Sequence, residues 1–196
     1  MKIIQGNLKN KKNLYKAAAA ALQEGKVIIF STDTIYGILA DATNGRALKK
    51  IAEIKKRPEG KPLPILIPSI KKAVEYGKIS PLQKKELKKY WPGPYTLIFE
   101  YKQGLAKNAV AKDKSVALRV PRKEIIKKLL KMMRKPLAAT SANLSGEPYN
   151  TDPKAIIKIF QNTTPKPDYI FNLGKQAGKP STIIDLRHDG KKIVRN

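Results

Sequence analysis

Hydroxyl and amide side chains cluster at three places in a chain that is otherwise rich in lysine. These places are residues 31–37 (STDTIYG), 139–146 (ATSANLSG) and 179–185 (KPSTIID). Each stretch adjoins a short apolar run that predicts a buried strand. A single hydroxyl-rich turn is often only a helix cap or a tight turn. Ligands of open α/β sheets bind where strands end and the chain diverges, so three such turns favour one shared polar pocket.

A second group of candidate residues is basic. The stretch 55–62 (KKRPEGKP) places Lys55, Arg57 and Lys61 around a Pro-Gly turn, where they could hold phosphates. A basic helix end that complements the helix dipole explains the same pattern. The chain contains neither G-x-x-x-x-G-K-[ST] nor G-x-G-x-x-G, so neither familiar glycine-rich phosphate loop is present. Seven of the 41 basic residues are arginine, and these few positions suggest a demand for a bidentate donor.

Composition narrows the class of protein. A chain of 196 residues with 41% hydrophobic residues predicts a single domain, residues 1–196, with a proper core. The absence of cysteine excludes disulfides and thiolate metal sites, and a single histidine argues against a histidine zinc site or a Ser-His triad. No apolar run approaches the ~20 residues of a membrane span, which predicts a cytoplasmic protein without a membrane segment.

The formal net charge of +26 has two explanations. It could be a solvated lysine coat, or it could attract a polyanion such as a nucleotide or RNA. The lysines are spread along the whole chain, which favours the coat for most of them. Charge alone does not decide between the two.

Helical and extended patterns alternate along the chain, which predicts an α/β fold with a mixed twisted sheet. A Pro-interrupted strand at 61–68 is expected at an edge or bent, a threonine cap is expected for the helix at 151–161, and Asp189-Gly190 predicts a hairpin turn. On the helix at 122–135 we expect Ile125, Leu129 and Met132 or Met133 to face inward. Helices are predicted within 11–24, 45–57, 80–93, 122–135 and 151–161, and strands within 27–34, 61–68, 95–101, 115–121, 136–140, 168–174, 181–186 and 191–196.

The chain resembles the YrdC-like threonylcarbamoyl-AMP synthases (the TsaC/Sua family) from about residue 10 to its last residue. The resemblance is carried by STDTIYGILADATN, IKKRPEGKPLPILI, WPGPYTLI, VALRVP, TSANLSGEP and STIIDL followed by IVRN, which occur here in the family's order. It implies a twisted mixed sheet with flanking helices around a large basic cavity. It also implies that L-threonine, bicarbonate and ATP, with Mg²⁺, are joined into threonylcarbamoyl-AMP with release of pyrophosphate.

The resemblance implies a place in tRNA modification. The product would pass to the tRNA threonylcarbamoyltransferase complex, which modifies an adenosine beside the anticodon, and the protein could also bind tRNA directly. The reaction needs no protein nucleophile, so the lack of a catalytic histidine or cysteine is expected. Asp33 and Asp41 are candidates to meet the metal.

The resemblance also assigns roles to individual residues. Thr34, with Thr32 nearby, would contact L-threonine, and Arg119 would bind its carboxylate. Lys55, Arg57 and Lys61 would hold the ATP phosphates, and Ser115 and Arg195 would contact the nucleotide. Thr140, Ser141 and Asn143 would line the adenylate and the threonine, and Ser181 would touch the substrate. The residues expected to carry the chemistry are Lys55, Arg57, Ser141 and Asn143.

Three departures from the family pattern qualify these expectations. Leu66 stands where long members carry a histidine, Ser31 replaces a proline, and the chain stops just after IVRN, as in the short single-domain form. The alternative function is a non-enzymatic RNA-binding module with the same fold. A related paralogue, such as a carbamoyl-adenylate domain of hydrogenase maturation, is a further alternative. The intact K-x-R and S-A-N motifs favour the synthase.

Overall fold

The fold is built on one ten-stranded mixed sheet, with helices on both faces. A computed structural model describes residues 1–6, 11–57, 63–187 and 192–195. The strand order is β1-β8-β2-β3-β7-β4-β6-β5-β9-β10. The strands are β1 (Lys2–Gln5), β2 (Ile28–Ser31), β3 (Tyr36–Asp41), β4 (Ile65–Leu66), β5 (Tyr95–Glu100), β6 (Ser115–Arg119), β7 (Leu137–Ser141), β8 (Tyr169–Asn172), β9 (Thr182–Asp185) and β10 (Lys192–Arg195). The predicted mixed α/β class is confirmed.

The helices separate into two layers because successive side chains of a strand point to opposite faces. Ile29 of β2 belongs to the core on the side of α2, whereas Ile28 and Phe30 belong to the core under α1 and α5. The helices are α1 (Lys11–Gln23), α2 (Gly45–Lys55), α3 (Ile70–Tyr76), α4 (Pro81–Glu86), α5 (Glu124–Met133) and α6 (Pro153–Phe160). No helix among the described residues is long and apolar enough to cross a bilayer.

Helix ends follow local chemistry that is readable in the sequence. The Asn44 side chain accepts a hydrogen bond from the Ala47 amide at 3.1 Å and so caps α2. Gly25, two residues beyond the end of α1, has a φ of 76°, a conformation that favours glycine. The threonine cap predicted for α6 is wrong. Asp152 is the N-cap, since its carboxylate accepts the Lys154 amide at 2.8 Å.

The prediction that the Pro64 segment forms an edge strand is also wrong. Strand β4 lies inside the sheet, parallel to β6 and antiparallel to β7. Pro64 precedes the strand, so its missing N–H removes no ladder bond. Its carbonyl still accepts the Ala139 amide at 2.8 Å. The strand tolerates the proline because the pairing at this position uses its carbonyl and not its nitrogen.

The inward face of α5 differs from the predicted one by a small rotation. Ile126, Leu129, Leu130 and Met133 are buried, whereas Ile125 is only partly buried. The helix packs against both α1 and the sheet, so its apolar stripe is wider than a single row.

Some elements were not predicted from the sequence, namely β1, β3 and α3. Strands β9 and β10 pair in antiparallel fashion, as the predicted hairpin requires. The Asp189-Gly190 turn itself lies outside the described residues.

Candidate active site

The three hydroxyl-rich turns line one cavity of about 340 Å³ on the sheet face that carries Leu66, Ala117 and Ala139. Each turn follows or precedes a strand of the sheet, namely β2, β7 and β9, so the sheet brings distant segments of the chain together. Eight of the twelve site residues expected from the sequence line the cavity: Thr32, Thr34, Arg57, Arg119, Thr140, Ser141, Ser181 and Arg195. The shared pocket predicted from the three turns is therefore present.

The turn after β2 directs Thr34 into the cavity. The Thr32 hydroxyl donates to the Ile35 carbonyl at 2.7 Å and accepts the Thr34 amide at 3.2 Å. It also lies 3.0 Å from the Thr34 hydroxyl. Thr32 therefore fixes the turn, and the Thr34 hydroxyl is held toward the last residue of β6.

That last residue, Arg119, is a buried guanidinium with hydrogen-bond acceptors at two nitrogens and an ion-pair partner, without hydrogen-bond alignment, at the third. Its Nε donates to the Gly93 carbonyl at 3.1 Å, and its Nη1 donates to the Thr34 hydroxyl at 3.3 Å. Its Nη2 lies 2.8 Å from Asp33 Oδ2, with side-chain exposures of 6% for Arg119 and 3% for Asp33. Burial lowers the pKa of Arg119, while the Asp33 carboxylate opposes that shift. A guanidinium has five N–H groups, so the fixed fork keeps donors for an incoming carboxylate.

Lys55 is enclosed by the turn at 141–143. Its ammonium donates to the Ser141 carbonyl at 2.7 Å, to the Asn143 carbonyl, and to Asn143 Oδ1 at 3.0 Å. These three bonds use its three N–H donors. Lys55 is only 2% exposed and does not line the cavity. In this geometry Lys55 shapes the turn, and its contact with a phosphate remains a prediction.

Burial, followed by the nearby Arg57 charge, lowers the pKa of Lys55 to about 7. The same turn also carries a side-chain bond from the Ser141 hydroxyl to the Asn143 amide oxygen. Because the Asn143 amide group donates to the Glu147 carbonyl, its side chain is committed to the turn and not to the cavity. Ser141 is thus the member of the S-A-N motif that faces the cavity directly.

The opposite wall is held by a buried hydroxyl pair. Thr96 is fully buried, and its hydroxyl lies 2.9 Å from that of Ser181. Arg195 Nη2 donates to the Ser181 carbonyl at 2.8 Å, which seats the guanidinium of β10 at the cavity. Thr96 was not predicted from the sequence. The signal that could have found it is a hydroxyl residue inside the otherwise apolar strand β5. Thr96 and Ile98 are two residues apart, so they lie on the same face of β5, and both line the cavity.

The cavity is electropositive. Burial is the main cause that lowers the pKa values of Arg57, Arg119 and Arg195. The Arg195 charge further lowers those of Arg57 and Arg119, so Arg195 lies within electrostatic reach of both. Such an arrangement favours an anion with several charges.

The remaining expected site residues lie elsewhere. Ser115 does not line the cavity, although it shares its face of β6 with Ala117 and Arg119. It stands four residues before Arg119, roughly 13 Å away along the strand. Lys61 lies outside the described residues.

The described residues do not form a metal-binding cluster. Asp33 pairs with Arg119, and Asp41 accepts hydrogen bonds from Thr43 and Lys135. The cavity lining contains hydroxyls and arginines but no carboxylate among the described residues. Because Mg²⁺ is usually held by carboxylates and substrate phosphates, these residues do not fit a protein-ligated Mg²⁺.

Comparison with known proteins assigns this chain to a family. The family model Sua5/YciO/YrdC, described as telomere recombination, matches residues 20–196. The chain belongs to the Sua5/YciO/YrdC family. A protein of Methanocaldococcus jannaschii, provisionally named a threonylcarbamoyl-AMP synthase, is 36% identical over 190 residues, which cover 96% of this chain and 88% of the relative.

A threonylcarbamoyl-AMP synthase of Pyrococcus abyssi is 36% identical over 173 residues, which are 87% of this chain and 50% of that protein. The matched part of this chain thus spans about half the length of the P. abyssi protein.

Solved structures show the same fold. P. abyssi Sua5 in complex with L-threonine superposes with a TM-score of 0.88 at 32% identity, covering 99% of this chain and 56% of that chain. Escherichia coli YciO superposes with a TM-score of 0.87 at 25% identity, covering 99% of this chain and 93% of that chain.

Proposed function

We propose that this family member is an L-threonylcarbamoyladenylate synthase, a nucleotidyltransferase that uses L-threonine, bicarbonate and ATP. The observation that carries the proposal is one cavity lined by three arginines, in which buried Arg119 lies beside the Thr34 hydroxyl and Arg195 lies within electrostatic reach of both Arg119 and Arg57. One fork suits the single carboxylate of an amino acid, and several cations suit a polyphosphate. The names of the relatives and the L-threonine bound to P. abyssi Sua5 support the same substrates.

The reaction has two steps. The ammonium of L-threonine first loses a proton, and the neutral amine then attacks the carbon of bicarbonate, so that a water molecule leaves and an N-carboxylate forms. An oxygen of that carbamate then attacks the α-phosphorus of ATP, and the bond to the β-phosphate oxygen breaks to release pyrophosphate. Neither step forms a bond to the protein, so the chain contributes by holding the reactants and neutralising charge.

The cavity residues have corresponding roles in this proposal. Arg119 and Thr34 orient the threonine so that its amine faces the carbamate-forming position. Arg57 and Arg195 bind phosphates and stabilise the charge that develops on pyrophosphate. The Ser141 hydroxyl, whose hydrogen is donated to Asn143 Oδ1, presents its acceptor lone pairs to the reacting groups, and Lys55 holds the turn that presents Ser141. Mg²⁺ would enter with ATP as part of the substrate, held by its phosphates and by water.

The test is pyrophosphate release from purified protein, with L-threonine, bicarbonate or ATP omitted in turn. We expect release only when all three are present, and detection of threonylcarbamoyl-AMP by mass spectrometry. Arg57→Ala, which truncates a cavity cation, is expected to abolish release. Equal release without threonine would refute the proposal.

We further propose that the product is passed to the tRNA threonylcarbamoyltransferase complex. In that case synthesis does not require the protein to bind tRNA directly.

Lys127, Lys128 and Lys131 of α5 are not among the residues that line the cavity. Replacing all three with glutamine should weaken any RNA binding and reduce its salt dependence, while pyrophosphate release stays within twofold of the wild type because exposed charges are screened. If the triple variant loses synthesis as fully as Arg57→Ala, the separation of surface from cavity is wrong. Strong RNA binding without any pyrophosphate release would instead support the RNA-binding module.

A further inference from the structure

The carboxylate of Asp33 stands behind Arg119 in an unusual arrangement. Asp33 Oδ2 lies 2.8 Å from Arg119 Nη2 and accepts the Arg122 amide at 2.9 Å. Asp33 Oδ1 has no hydrogen-bond partner among the described residues, although its side chain is 3% exposed. Asp33 is not among the residues that line the cavity, whereas Arg119 is. The carboxylate therefore acts on the cavity through Arg119.

The second cation of the cavity differs in its partners. The described hydrogen bonds of Arg195 go to the carbonyl and hydroxyl oxygens of Ser181, which are neutral. Arg119 has a buried carboxylate partner instead. The cavity is therefore graded in charge, with one guanidinium compensated by a carboxylate and another held by neutral oxygens.

This grading addresses a problem that the proposed reaction creates. Two anionic substrates must enter one cavity, a single carboxylate on threonine and a polyphosphate on ATP. Three arginines without compensation would attract the polyphosphate everywhere, including at the carboxylate position. Two buried anions near one guanidinium repel each other, and the repulsion grows with the charge of the ligand.

We propose that Asp33 is a specificity-determining residue, which by neutralising Arg119 from behind reserves that guanidinium for a single carboxylate and excludes polyphosphate from it. The proposal rests on the proposed function, and it adds a reason why threonine and the polyphosphate of ATP bind at different positions in the cavity. Asp33 touches no substrate. Hydrogen bonds to Gly93 and Thr34 hold the guanidinium plane so that the remaining N–H donors keep one direction, and Asp33 contributes its charge.

The experiment measures L-threonine binding by calorimetry, with and without inorganic tripolyphosphate as a probe that lacks the nucleoside. In the wild type we expect threonine affinity to change less than twofold with tripolyphosphate present. In Asp33→Asn, which keeps the shape and removes the charge, we expect threonine still to bind. Tripolyphosphate should then displace it at concentrations at least tenfold lower than in the wild type.

Two controls isolate the effect. Asp33→Glu keeps the charge and should retain the wild-type resistance to tripolyphosphate. Asp168→Asn removes a carboxylate from an ion pair with Lys50 (2.7 Å) that does not line the cavity, and it should also behave as the wild type.

The outcomes separate this proposal from the proposed function. If the wild type binds no L-threonine, the proposed function fails. If the wild type binds threonine and tripolyphosphate displaces it competitively, Asp33 does not reserve the site and the proposal is overturned, even if Asp33→Asn does not fold. If Asp33→Asn binds threonine and resists displacement by tripolyphosphate as the wild type does, the proposal is overturned as well. Loss of threonine binding in Asp33→Asn without any gain in tripolyphosphate binding would reduce Asp33 to a positioning residue and overturn the selectivity proposal.

Discussion

Replacing Lys55 with methionine tests the buried ammonium that closes the turn at 141–143. The wild-type ammonium bonds to three oxygens and has a pKa lowered to about 7. In the unfolded chain a lysine titrates near pH ~10.4. Because the folded pKa is the lower one, the unfolded chain binds more protons between these values, and the stability of the wild type rises with pH there.

The magnitude follows from the shift. The slope is about 1.4 kcal/mol per pH unit, so between pH 6 and pH 9 the free energy of unfolding of the wild type gains roughly 2–3 kcal/mol from this group. Lys55→Met has no such group, and it also leaves the Asn143 carbonyl without its donor, at a cost of roughly 1–3 kcal/mol, whereas the Ser141 carbonyl still accepts the Asn143 amide at 2.9 Å. The destabilisation caused by Lys55→Met is therefore expected to be larger at pH 9 than at pH 6.

The assay is urea unfolding at both pH values, for the wild type, Lys55→Met and Lys127→Met. Lys127 provides a control because it lies on α5 with a side chain that is 39% exposed and pairs with the exposed Glu124 at 3.9 Å, and its substitution should cost the same at both pH values. Equal destabilisation by Lys55→Met at pH 6 and pH 9 would refute the lowered pKa. Such equality is what a folded pKa at or above the unfolded value would give, since a raised pKa changes stability only above pH ~10.4.

Three further substitutions test the walls of the cavity. Arg119→Lys keeps a charge but loses the fork, so calorimetry should show L-threonine affinity falling at least tenfold, or about 1.4 kcal/mol, with ATP affinity unchanged; unchanged threonine affinity would contradict its role. Gly178→Ala would place a Cβ 1.8 Å from the Thr34 carbonyl, so the variant should bind threonine more weakly and unfold at a lower temperature, and wild-type values in both measurements would contradict the close contact. Thr96→Val removes the partner of the Ser181 hydroxyl and should cost about 1 kcal/mol in urea unfolding, whereas Thr96→Ser should recover most of it; equal losses in both variants would exclude the hydrogen bond as the cause.

Much of the local structure follows from the sequence because its causes are local. Asn44 caps α2, Gly25 ends α1 and a Ser-Pro pair begins α4, each by interactions that span a few residues. The alternation of apolar strands and helices likewise predicts the α/β class. The three hydroxyl-rich turns predict a pocket, since each one follows or precedes a buried strand.

The order of strands could not be read in this way, because pairing between distant segments depends on how the whole chain is laid out. The Pro64 segment looks like an edge strand by local rules, yet β4 lies between β6 and β7. Thr96 looks like a strand residue, and only the parallel pairing of β5 with β9 brings its hydroxyl to Ser181.

The roles of charged residues depend most strongly on tertiary structure, because they are set by partners that are far away in sequence. The sequence placed Lys55 among phosphate ligands, whereas its donors close a turn that lies 86 residues away along the chain. Asp33 looked like a candidate for a metal or a cap, and the fold pairs it with Arg119. The sequence by itself determined which residue types are available to the cavity. The tertiary structure alone decided which of these residues line the cavity and which contact the lining residues from outside it, since burial and pairing are properties of the folded chain.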